Sequence, residues 1–152
     1  MADISTPHDL DAVRQRRVEL RESIGALERA LAAPASGRAV IWGERVHGAL
    51  SQIADDFAVH VTVTEGPDGL HQQIQANAPR LARQVSTLSA EHGTLAAEIA
   101  DLVAATDAPV TDDDVEPIRD RTTRLLGTLI RHRQRGADLV YEAFQTDLGA
   151  GD

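Results

Sequence analysis

An all-α, up-down-up-down four-helix bundle is the fold class this sequence predicts, and three observations lead to it. Four segments carry apolar residues at alternating spacings of three and four, the repeat of a helical face. Aromatic residues make up only 3 % of the chain, which favours helices packed through Ala and Leu over a sheet sandwich. The segments are joined by short connections, which place consecutive helices antiparallel. The one alternating stretch, Val59 to Thr64, is too short for a sheet and continues a helical seam. At 152 residues the chain is the size of one domain, read here as a bundle over 1–152 with its core from 10 to 147.

The first segment places Leu10, Val13, Arg17, Leu20, Ile24, Leu27 and Leu31 on one face and stops at the AAPASG loop of residues 32–37. The second places Val46, Leu50, Ile53, Phe57, His60 and Thr64 on a face, and Gly66-Pro67 ends it. Residues 67–77 are expected to form a short extra turn of helix across the bundle end. The third segment is expected to start at Asn77 as N-cap, with Pro79 in its first turn. Its face holds Leu81, Val85, Leu88, His92, Leu95, Ile99 and Leu102. The fourth begins after Thr111, where three consecutive aspartates suit the positive end of a helix dipole. Its face holds Ile118, Thr122, Leu125, Leu129, His132, Gly136, Leu139 and Ala143.

Composition narrows the function. The chain has no Cys, which excludes disulfides and thiolate metal sites. No apolar run reaches membrane-span length and the N-terminal stretch has no leader-like core, so a cytoplasmic protein without membrane contact is expected. All fifteen cationic residues are Arg, and the net charge of −9 argues against a nucleic-acid surface. The arginines of the fourth segment read as a solvated face, paired along the helix as Asp120 with Arg124 and Arg135 with Asp138. No phosphate loop, nucleophile elbow or His-Glu-x-x-His motif is present, so an enzyme is not expected.

The polar residues within the apolar faces carry the functional signal. His60, His92 and His132 occupy seam positions on three different helices, and Arg17 occupies one on the remaining helix. A buried imidazole needs a partner for at least one ring nitrogen, and imidazoles converging from several helices are how bundles build metal sites. His8, His47 and His71 lie at flanks or helix ends and are expected on the surface.

The order of His60, the Glu91-His92 pair and His132 resembles that of the hemerythrin-like, HHE cation-binding bundles, over residues 10 to 147. The resemblance implies a diiron site that binds oxygen or related small molecules, or that senses or stores iron. In that family the second and fourth helices each carry His-x-x-x-Glu, and an early His sits on the first helix. Here Thr64 and Gly136 stand where the carboxylates would be, and Arg17 where the first-helix His would be. Glu65 and Glu142 are the nearest replacement ligands. Two expectations follow. One is a metal-binding module with a reduced site on His60, His92 and His132, taking iron or another divalent metal. The other is a metal-free bundle that serves as a structural or protein-interaction domain.

Overall fold

The computed structural model describes residues 7–67 and 69–146, with side chains from 14 to 67 and 69 to 144. Among the described residues every regular element is helical: α1 (Pro7–Ala32), α2 (Ala39–Glu65), the short α3 (Leu70–Asn77), α4 (Ala82–Asp107) and α5 (Asp112–Tyr141). A 3₁₀ turn, Pro79–Leu81, leads into α4, and a π-helical turn, Glu142–Thr146, follows α5. The four long helices form a ring in which α1 lies beside α2, α2 beside α4, α4 beside α5 and α5 beside α1. This is the expected bundle.

The helix ends follow local chemistry. Gly37 adopts a φ of 69° in the α1–α2 loop, a left-handed conformation that a side chain would strain. At the start of α5 the Asp114 carboxylate accepts from both the backbone N–H (3.1 Å) and the hydroxyl (2.7 Å) of Thr111. Asn77 is not an N-cap: it is the last residue of α3, and its side-chain amide donates to the Gln73 carbonyl at 3.0 Å. The chain turns into α4 through Pro79, whose fixed φ suits a first helical turn.

The apolar seam residues with described side chains are buried as their spacing predicts, whereas Arg17, His60 and Gly136 are half-buried; the side chains of Leu10 and Val13 lie outside the described ones. The buried apolar residues form two separate clusters. The larger fills the bundle from Trp42 and Leu102 to Phe57, Leu95 and Leu129. The smaller, made of Leu70, Ile74, Ala78, Leu81, Val85, Leu88, Leu139 and Ala143, seats α3 across the bundle end. Near the far end Arg119 lies 5.3 Å above the Trp42 ring. Gly43 permits the α4–α5 connection to close on α2, because a Cβ there would collide with the Val110 side chain.

The arginine face of α5 is paired differently from the expectation. Arg121 bonds Glu98 of α4 at 3.2 Å and Arg135 bonds Glu91 of α4, so these pairs cross between helices. Asp138 accepts instead from Gln134, at 2.9 Å.

Candidate metal centre

A polar layer lies between the two apolar clusters. Each long helix contributes one residue to it: Arg17 from α1, His60 from α2, His92 from α4 and His132 from α5. Helical phase explains the convergence. His60 follows Phe57 by one turn, His132 follows Leu129, and His92 precedes Leu95, so each imidazole continues a buried stripe. His92 and His132 are 3 % and 2 % exposed, and His60 is half-buried.

The three rings meet through their Nε2 atoms. His60 Nε2 lies 3.2 Å from His92 Nε2 and 3.4 Å from His132 Nε2. The three rings can offer ligand atoms that all fall within 4.8 Å of one another. Ring centres are 4.8 to 5.5 Å apart. In a tetrahedral zinc–imidazole site, bond lengths near 2.05 Å put neighbouring nitrogens about 3.3–3.4 Å apart. The two short separations therefore match two edges of a metal polyhedron, and the three histidines could bind a metal.

Carboxylates stand behind the imidazoles. Glu91 accepts a hydrogen bond from His132 Nδ1 at 2.7 Å, and its other oxygen meets Arg135. Glu65 lies 3.2 Å from His92 Nδ1, where its charge favours a proton on that nitrogen. A proton on Nδ1 leaves Nε2 as a lone pair, the arrangement that carboxylates impose on metal-ligating histidines. Two lone pairs then face His60 Nε2, which carries at most one proton when neutral.

Burial also favours the neutral form of His60 and His92. His60 is pushed down to about 3, first by burial and then by its neighbours His92 and His132. His92 is lowered by burial and by His132, against the opposing pull of Glu65. Neutral imidazole is the form that binds metal. Phe57 closes the core side of the layer, its ring centre 5.6, 5.8 and 6.3 Å from those of His60, His92 and His132. On the other side a cavity of about 70 Å³ opens beneath α3, lined by His60, His132, Thr64, Gly136 and His71 among others.

Several expectations change at this point. Glu65 backs His92 from a position adjacent to the cluster. Glu142 is remote from the site and exposed, and bonds Arg80 at 3.2 Å. Neither acid reaches Arg17. Thr64 spends its hydroxyl on the His60 carbonyl at 2.9 Å. A Cβ on Gly136 would meet nothing within 4 Å, so this glycine marks open space.

His71 is not a surface residue: it is 8 % exposed, stacks on His92 at 5.6 Å and shares a hydrogen bond of 2.8 Å with Ser89. Burial, with His92 second, holds it down at about 4. His47 is half-buried, its Nδ1 3.1 Å from the Thr106 hydroxyl, and the side chain of His8 lies outside the described ones. The backing role of Glu91 had a sequence signal. It directly precedes His92, and consecutive helical residues diverge by about 100°, so Glu91 faces α5 while His92 faces the interior.

No helix among the described residues is long and apolar enough to cross a membrane. No protein-family model matches the chain, and comparison with curated proteins and with solved structures finds no match.

Proposed function

We propose that this hemerythrin-like bundle is a binding module for a single divalent transition metal, held by Nε2 of His60, His92 and His132. The observation that carries the reading is the convergence of three Nε2 atoms, two of them 3.2 and 3.4 Å from the third, with carboxylates behind two of the rings. Imidazole donors suit zinc, copper, iron and nickel. A metal bound by three protein ligands keeps one position for an exchangeable small ligand. That position would face the cavity, because Phe57 closes the other side.

The donor set does not fit the two-iron centre of the family the sequence resembles. Two irons need several anionic oxygens, and Thr64 and Gly136 supply none. The role assigned is therefore to bind and present one metal and its small ligand, without catalysis.

The test is titration of chelator-treated protein with zinc or cobalt(II), and with ferrous iron under anaerobic conditions. One metal per chain is expected, lost in His92→Gln and His132→Gln. Glu91→Gln keeps all three ligands and should weaken binding about 10–100-fold, the usual effect of losing a carboxylate behind a ligating histidine. Binding of two irons with oxo-bridge absorption would overturn the single-metal reading. Absence of binding would leave the metal-free structural or protein-interaction bundle as the better account.

A further inference from the structure

The cavity beside the imidazole layer has an unbalanced wall. Arg17 and Arg133 both line it, and among the described residues no carboxylate does. Arg16, at its edge, is exposed and satisfied by Glu19 at 3.0 Å. Arg17 and Arg133 are half-buried, and neither has a hydrogen bond or ion pair with any described residue. Yet acids outnumber arginines in this chain by 24 to 15, so counter-ions are plentiful. The acids nearest the layer are turned elsewhere: Glu65 to His92, Glu91 to His132 and Arg135.

Two partly desolvated guanidiniums on one cavity are unfavourable unless an anion compensates them. Burial, first, and the neighbouring charges of Arg133 and Arg14 hold Arg17 below its ordinary value. Burial and Arg21 do the same to Arg133. The remaining wall is chiefly apolar, with Leu20, Leu70, Ile74 and Leu139 restricting the length of any occupant. About 70 Å³ admits a group of a few heavy atoms.

From the shared cavity, and from two guanidiniums without a partner and no lining carboxylate among the described residues, we propose that this is a binding site for a small planar oxyanion of the formate or bicarbonate class, held between Arg17 and Arg133. The guanidinium fork matches two coplanar oxygens, which a spherical ion cannot satisfy. Gly136 keeps the floor open, since any side chain there would project into the anion's space. The site goes beyond the metal reading and does not need a metal, because its two cations come from α1 and α5 whatever the imidazoles hold.

The experiment is titration of chelator-treated protein with ¹³C-formate, followed by NMR and calorimetry. Saturable one-to-one binding is expected, with a dissociation constant in about the millimolar range at low salt. Arg17→Gln and Arg133→Gln should each weaken it by about tenfold or more, equivalent to about 1.4 kcal/mol. Arg124→Gln, at an exposed position away from the cavity lining, should leave it unchanged. Arg17→Lys keeps the charge without the fork and should show an intermediate loss, which remains readable if Arg17→Gln folds poorly. His92 does not line the cavity, so His92→Gln should abolish metal uptake and retain formate binding. Absence of saturation, binding by the two Gln variants as tight as that of the wild type, or chloride binding as tightly as formate would overturn the proposal and leave the metal titration untouched.

Discussion

Replacing Gly136 with alanine should stabilise the metal-free protein by about 1 kcal/mol, the difference between glycine and alanine in a helix interior. The structure permits the full gain. Gly136 lies within α5 with an ordinary helical backbone, and a Cβ there would meet no atom within 4 Å. The methyl would project into a cavity of about 70 Å³, so no overpacking term opposes the gain. For a domain of this size, 1 kcal/mol corresponds to about 2–4 °C in melting temperature. Urea denaturation in the presence of chelator is the cleaner assay, read as a higher midpoint at unchanged slope. A lower midpoint would refute the reasoning, because it would mean that α5 is closely approached at Gly136 and the cavity is filled by protein.

Gly43→Ala should do the opposite, since its Cβ collides with Val110; a loss of about 1–3 kcal/mol in the same assay is expected. Acid should also destabilise the chain. The folded values of His60 and His71, about 3 and about 4, lie below the unfolded value near 6.5, so the unfolded chain takes up protons first. Their contribution is fully present above pH 6.5 and erodes as the pH falls towards the folded values. Between pH 7.5 and 5 the metal-free protein should lose about 2–4 kcal/mol, and His60→Leu should remove part of that dependence. Equal denaturation midpoints at the two pH values would show that the imidazoles are not held neutral.

The long helices were legible because burial in a bundle repeats with the helical period. Leu50, Ile53 and Phe57 announce one face, and His60 continues it at the same spacing. That continuity placed the three seam histidines together. His71 was not legible. It sits on α3, and only the turn through Gly66 and Gly69 decides that this short helix lays its His against His92. Glu142 failed as a ligand because it lies beyond the last turn of α5, where Arg80 of the 3₁₀ turn is its neighbour. Arg17 was read as a seam residue, but its having no acid partner among the described residues was not legible: Glu65 is held by His92 and Glu142 by Arg80, a choice that depends on packing between helices.

The apolar interior is divided by its polar layer, and this gives the molecule two mechanical parts. Twenty buried side chains among the described residues hold the four long helices together, whereas eight hold the α3 end. The imidazoles and the cavity form the boundary, where few apolar contacts transmit cohesion. Opening of the α3 end therefore disrupts only the smaller cluster and is less costly than global unfolding. On the proposed function, a route from solvent to the imidazoles would run through this end while Phe57 and the main core stay in place. Access to the proposed site would then be governed by the smaller cluster rather than by the stability of the whole bundle.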